Sequence, residues 1–319
     1  MREQSTGEHA LEPSLRRVLE RAAADGGDDL VELLSERLSG TELTTLLLEV
    51  YRRRALKVTP AEVMRRYRTD RFVARSPIPA RALRRAEDAL IAALPPGFTL
   101  VSLAPLTPLA THTAVATVDP RKVVATVRGT EVAADPTNAL ALEAAERRSR
   151  LLSASPRDAT PVSLAASERV VRAQRFDGPG MSAHFQLFGL VTAGRDVGGL
   201  AFERAALAEH LRFAAHAWPG AEVRITVLAE PYRAVFDAVR PDSADGAGLA
   251  GLSLVEDPDR ASGRGYYTGL CFKVHAAGAE IGDGGFVDWT ARLCGNRKER
   301  LLISGYGVDR LAAAGAADR

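Results

Sequence analysis

Apolar residues along this chain recur at two different spacings, and the change between them divides it. Leu15, Val18, Leu19 and Ala22 follow the three-and-four spacing of one helix face, as do Leu30, Leu33, Leu34 and Leu38. Gly40 ends the second run, and Thr41, Thr44 and Thr45 open Leu46, Leu47, Leu48 and Tyr51. Thr59, Pro60 and Glu62 read as a helix start. Thr caps the first turn, Pro sits where its missing N–H costs nothing, and Glu reaches back to the free amides. Residues 1–75 are therefore expected to form an N-terminal helical region. Ser76, Pro77, Ile78 and Pro79 then read as a linker.

From residue 76 the spacing alternates between helix and strand. Residues 80–94 predict an amphipathic helix that Pro95, Pro96 and Gly97 stop. Residues 98–103 and 122–128 read as strands. Asp135, Pro136 and Thr137 precede a helix over 138–150, whose basic end at Arg147, Arg148 and Arg150 suits the helix dipole. Further helices are expected over 201–217 and 232–239, and a short one from Val308. Strands are expected over 221–228, 266–274, 280–286 and 301–307. Residues 242–251 are rich in Gly, Asp and Ala and read as a loop. Hairpin-linked strands with helices grouped elsewhere predict an α+β fold, a mostly antiparallel sheet flanked by helices over residues 76–319.

Composition narrows this picture little. The 319 residues are 46% hydrophobic and 26% charged, with a formal net charge of +2. That is a globular composition in which global charge demands no nucleic-acid partner. Cys271 and Cys294 stand far apart with no His cluster, so neither a disulfide scaffold nor a structural zinc is expected. No apolar run reaches the roughly 18 residues a membrane span needs. The first twelve residues lack a signal peptide's apolar core, so a cytoplasmic location is expected. Eight Arg or Lys stand against two acids between Tyr51 and Arg71. Such a stretch suits a nucleic-acid backbone, but a solvated helix pair is the plainer reading.

The chemistry concentrates in residues 172–189. Arg172 and Arg175 follow a β-type run, and Asp177, Gly178, Pro179 and Gly180 form a turn. His184, Phe185, Gln186 and Phe188 lead back to Gly189. This is a hairpin with cations near its base, and guanidinium forks match phosphate oxygens. The chain contains neither a GxxxxGK[ST] phosphate loop nor a GxSxG nucleophile elbow.

With these residues in place, the chain resembles the catalytic core of class II aminoacyl-tRNA synthetases, and within them the histidyl branch. The match runs over roughly residues 78–316. Residues 80–103 with Pro105 look like motif 1, the dimer-forming helix and strand. Residues 172–189 look like motif 2. Gly305, Gly307, Asp309 and Arg310 look like motif 3. Tyr266, Tyr267, Thr268 and Gly269 are similar to the branch's Tyr-Tyr-Thr-Gly. Residues 282–288 are similar to its Gly-Gly-Gly-Arg-Tyr-Asp, and residues 132–137 to its Leu-Arg-Pro-Glu-Gly-Thr. The resemblance implies ATP with Mg2+, a homodimer formed through the motif 1 region, and an amino-acid-like small molecule as substrate. It implies that Arg172 holds the α-phosphate and the attacking carboxylate, with Gln174 and Arg175 beside it. Arg310 would hold the γ-phosphate, and either His184 or Phe185 would stack on adenine. Asp135, Thr137, Gln186, Arg264, Tyr266 and Tyr267 would line the acyl pocket. No metal-ligand set is assigned.

The chain also departs from the family. The family's motif 2 Glu is Gln174 here. The branch's catalytic Arg falls on Ser262, and the nearby Arg264 is displaced. Phe286 and Ala133 replace two further arginines. Arg310 lies within about ten residues of the end of the sequence, so an anticodon-binding domain after motif 3 is not expected. The leading expectation is a free-standing, ATP-dependent ligase that activates an amino acid or similar acid for a small or non-tRNA acceptor. The second is a non-catalytic paralogue resembling the regulatory subunit of ATP phosphoribosyltransferase. The third, less favoured, is tRNA aminoacylation.

Overall fold

The computed structural model describes residues 20, 30–174, 182–240, 243, 249, 251–261 and 263–317. The chain divides into two compact units, Met1–Val63 with Val127–Gly129, and Met64–Thr126 with Thr130–Arg319. The division falls before residue 75. Within the larger unit, Arg71 donates to the carbonyls of Ala173 and Gln174, so residues 64–75 belong with the sheet.

In the smaller unit, the helix Gly40–Ala55 begins where a break was expected. Ser39 makes this possible: Glu42 N–H donates to Ser39 Oγ at 3.3 Å, and Ser39 N–H donates to Glu42 Oε2 at 2.8 Å. This reciprocal capping outweighs the poor helix propensity of Gly40. The helix Pro60–Thr69 starts as expected, with Thr59 N–H donating to Glu62 Oε2 at 2.8 Å. No helix among the described residues is long and apolar enough to cross a membrane.

Among the described residues the larger unit holds ten strands: β1 (Thr99–Leu100), β2 (Leu106–Pro108), β3 (Thr130–Val132), β4 (Val162–Val171), β5 (His184–Arg195), β6 (Glu222–Val227), β7 (Ser253–Glu256), β8 (Leu270–Ala276), β9 (Ala279–Val287) and β10 (Glu299–Gly307). Eight form one sheet in the order β1-β4-β5-β10-β9-β8-β6-β7, and β2 pairs with β3 apart from it. The pairings are antiparallel except at the two edges, β1 with β4 and β6 with β7. The expected antiparallel α+β architecture is thus the observed one.

The sheet is buried on both faces, and strand alternation decides which residue faces which layer. Leu190, Leu302 and Phe272 join Leu90 of the helix Ala80–Ala92 and Leu207 and Leu211 of the helix Ala201–Ala217. Their neighbours Val191, Leu301 and Cys271 turn to the other side, against Leu140, Ala141 and Ala144 of the helix Pro136–Ala154.

Three local expectations fail for identifiable reasons. Residues 122–128 are not a strand: Pro120–Lys122 is a helical turn, and Gly129, at φ +67°, turns the chain so that Val132 N–H reaches Val124 O at 2.8 Å. Only Thr99–Leu100 of 98–103 enters the sheet. Tyr266 and Tyr267 precede β8, because Gly269 at φ +74° bends the chain, and a Cβ there would lie 2.3 Å from the Tyr232 ring.

Two buried groups tie the layers together. Arg148, 0% exposed, donates through Nε and Nη2 to Glu299 of β10 at 2.7 and 3.1 Å, and to the carbonyls of Thr160 and Asp158 at 2.7 and 2.8 Å. His210 bridges Thr192 of β5 at 3.1 Å and Ser304 of β10 at 2.8 Å, and burial pushes its pKa down to about 3. Arg148→Met should therefore destabilise the fold by about 3–5 kcal/mol, and Arg148→Met with Glu299→Leu should recover most of that loss in denaturant unfolding. His210 is neutral when folded but takes a proton near 6.5 when unfolded. Stability should thus fall as pH drops from 6.5 toward 3, by roughly 4 kcal/mol across that window, and His210→Gln should flatten the slope in a pH series of unfolding curves.

Candidate active site

The site is built around Arg172, one residue beyond β4. Its backbone N–H donates to Ala183 O at 2.8 Å across the hairpin. Its side chain turns toward the start of the helix Pro136–Ala154. Nε donates to Ala134 O at 2.9 Å and Nη2 to Asp135 Oδ2 at 3.2 Å. The guanidinium carbon stands 5.2 Å from the centroid of the Phe185 ring. Asp135 divides its oxygens between two tasks. Oδ1 caps the helix, accepting from Thr137 N at 2.9 Å and Thr137 Oγ1 at 2.7 Å, while Oδ2 takes the guanidinium. The local sequence requires this arrangement, since Pro136 can occupy the first helical position and a carboxylate before it meets the free amides.

Two cavities of about 430 and 290 Å³ meet at this pair. Asp135, Arg172, Asp283 and Gly305 line both. The first cavity adds Thr137, Gln174, Tyr266, Tyr267, His112 and Trp289. The second adds Phe185, Gln186, Glu280, Asp309 and Arg310. At the junction, Gly305 of β10 contributes backbone alone.

Of the expected site residues, the structure brings most into these two spaces. Strand alternation separates His184 from Phe185. Phe185 faces the second cavity. His184 lines neither; its Nδ1 accepts from Arg169 Nε at 2.9 Å, and its Nε2 meets Ala74 O. Gln186 reaches the second cavity, but its amide donates to Ser167 Oγ at 2.9 Å, and its backbone N–H donates to Asp309 Oδ2 at 2.7 Å. It therefore sits with the second space and not with the acyl pocket where it was expected. Arg264 is exposed, donates to Arg260 O at 3.3 Å and lines neither cavity. Arg310 is exposed beside the second cavity, its Nη1 donating to Glu280 O at 2.6 Å. Arg175 and Ser262 lie outside the described residues.

Four functional-looking residues escaped the sequence reading. Arg260 is 4% exposed and lies over Tyr267, 5.4 Å from the ring centroid. It donates to Phe272 O at 3.1 Å and to Asp283 Oδ2 at 3.3 Å. Tyr267 OH donates to the same oxygen of Asp283 at 3.1 Å, and Tyr266 OH to Tyr267 OH at 3.3 Å. A carboxylate among the glycines of 282–285 was the visible signal. His112, fully buried, lines the first cavity. Its Nε2 accepts from Ala134 N–H at 2.9 Å, which leaves the proton on Nδ1, bonded to Glu131 Oε1 at 2.6 Å. This chain fixes the backbone just before Asp135. Glu168 of β4 is 7% exposed, and neither of its carboxylate oxygens has a hydrogen-bond partner among the described residues.

Burial lifts two acids of this region, and the charge of Asp135 adds to it. Burial, then the charge of Asp135, raises Glu168 to about 7. Burial also raises Asp283; Arg260 opposes this and Asp135 adds to it. Tyr266 and Tyr267 are raised by burial and then by Asp283. Among the described residues no group of three or more His, Cys, Asp or Glu is placed to hold a metal ion.

No protein-family model matches the chain, and no curated protein does. Solved structures do. An ATP phosphoribosyltransferase regulatory subunit/histidyl-tRNA synthetase from Bacillus halodurans is 16% identical with a TM-score of 0.55, covering 76% of this chain and 82% of its own. A histidyl-tRNA synthetase from Nostoc is 14% identical with a TM-score of 0.53, covering 82% of this chain and 76% of its own. A histidine–tRNA ligase subunit from Alicyclobacillus acidocaldarius is 15% identical with a TM-score of 0.51, covering 77% of this chain and 96% of its own. At such identities the likeness shows the fold: a class II synthetase core of the histidyl-tRNA synthetase-like form.

One test follows from Glu168. Its raised folded pKa means that it contributes stability below pH 4.5, which is lost as pH rises through about 7. The stability of Glu168→Gln relative to the unaltered chain should therefore increase by roughly 3 kcal/mol between pH 4 and pH 8, read from unfolding curves at each pH.

Proposed function

We propose that this chain, on its class II synthetase core, activates an amino acid or similar carboxylic acid with ATP and passes it to an acceptor other than tRNA. The observation that supports this most directly is the meeting of the two cavities at Arg172 and Asp135. An acid in the first and a nucleotide in the second would present their reacting atoms to one guanidinium.

The reaction is an in-line displacement. A carboxylate oxygen of the acid forms a bond to the α-phosphorus. The bond from that phosphorus to the bridging oxygen breaks, and pyrophosphate leaves with the electron pair. No proton moves in this step. The protein has to position the two reactants and neutralise growing charge on the phosphate oxygens. Arg172 serves both groups. Arg310 and Phe185 also line the second cavity; Arg310 would meet the triphosphate and Phe185 would offer a ring face to the base. Asp135 Oδ2 is placed for a substrate ammonium group. Glu280 and Asp309 also line the second cavity. Mg2+ carried in on the triphosphate would find one or two carboxylates there, the usual company of that ion.

A second reading draws on specific features. Gln174 lines the first cavity where motif 2 carries Glu, and Arg260 is engaged with Asp283. Losing the motif 2 carboxylate and tying up a nearby guanidinium would lower turnover more than binding, and one of the similar structures is an ATP phosphoribosyltransferase regulatory subunit/histidyl-tRNA synthetase. Under that reading the chain binds its ligands without turnover and co-purifies with a second enzyme.

Pyrophosphate exchange into ATP across a panel of amino acids separates the two. Adenylation predicts exchange with at least one acid. Phe185→Ala should then raise the KM for ATP about tenfold, and Arg310→Ala about 10- to 100-fold, while His184→Ala stays within about threefold. ATP binding without exchange for any acid would favour the regulatory reading.

A further inference from the structure

We propose, resting on the adenylation reading, that the acid activated here is a basic amino acid, with its α-ammonium on Asp135 and its side-chain cation on Asp283. The argument begins in β9. Successive residues there face opposite sides of the sheet, and the two glycines flanking Asp283 face the packed core. A Cβ on Gly282 would meet Tyr306 Cδ1 at 2.4 Å, and one on Gly284 would meet Phe272 Cζ at 2.5 Å. Asp283 between them is turned to the opposite face, where it lines both cavities with its side chain 37% exposed.

Its position is fixed from behind. Arg260 Nη2 and Tyr267 OH both donate to Oδ2, at 3.3 and 3.1 Å. Arg260 is buried and lines neither cavity, so it orients the carboxylate without occupying the space in front of it. Burial, and then the charge of Asp135, hold the Asp283 carboxyl above its ordinary range although Arg260 stands beside it.

Two carboxylates of the first cavity, Asp135 and Asp283, face its space, and Asp119 beside them is held by Arg121 at 3.1 Å. A substrate carboxylate on Arg172 takes the partner of Asp135, which the α-ammonium replaces. Asp283, gripped from behind, offers its open side to a cation on the substrate side chain. The wall between is aromatic: Tyr266 lies 4.3 Å from Tyr267 and 6.1 Å from Trp289 by ring centroids. Ring faces suit an alkyl chain that ends in a cation. A neutral side chain of the same length would displace water from Asp283 and give it no new partner, at a cost in affinity.

The test uses the full chain and pairs of isosteres: lysine with norleucine, ornithine with norvaline, arginine with citrulline. Pyrophosphate exchange measures activation, and calorimetry with the amino acid alone measures binding. The expected result is a kcat/KM at least about 100-fold higher for a basic acid than for its neutral isostere. In Asp283→Asn that preference should shrink to about tenfold or less, whereas the unaltered chain's preference needs no variant to be read. Exchange that is equal or faster with neutral acids overturns the basic-substrate inference and leaves adenylation standing. If no acid exchanges, but lysine binds and norleucine does not, the inference stands and the catalytic reading falls. Neither exchange nor a preference in binding overturns both.

Discussion

The site depends on a guanidinium that no ligand will touch. Arg148 sits inside the helix Pro136–Ala154 with no exposed surface, and its donors run to Glu299, Thr160 and Asp158. Burying such a pair is costly, and its net effect on stability is small when every donor is met. Its larger effect is geometric. It ties the helix to β10 near one end, and from the other end Asp135 lines both cavities together with Gly305 of the same strand.

Around this frame, positive charge is scarce and shared out by position. Arg260 is spent holding Asp283 from behind, and Arg172 divides itself among Ala134, Asp135 and the ring of Phe185. Burial raises Glu168 and Asp283, and the charge of Asp135 adds to both. A protein that only needed to fold would have little reason to keep Glu168 unpartnered beneath Asp135.

Much of this was legible in the chain itself. The antiparallel sheet followed from hairpin-linked alternation, and three short motifs named Arg172, Asp135 and Arg310, each of which lines one or both cavities. What was not legible depended on long-range placement. His184 and Phe185 are neighbours in sequence, and only the register of β4 with β5 says which one faces the cavity. Arg260 was passed over because its partner, Asp283, lies 23 residues on. Residues 122–128 carried a strand's composition, yet Gly129 turned them back on residues 130–132 before a ladder could extend. Local pattern settles an element where neighbours agree with it, and loses where a turn or a buried partner decides.

The β4–β5 pairing has an evolutionary consequence. It runs without a slip from Val162 opposite Ala193 to Val171 opposite His184. Facing is a matter of parity along that ladder. A single residue gained or lost between His184 and Phe185 would change which of the two meets Arg172. The strand from His184 onward must therefore keep its residue count for Phe185 to stay against that guanidinium.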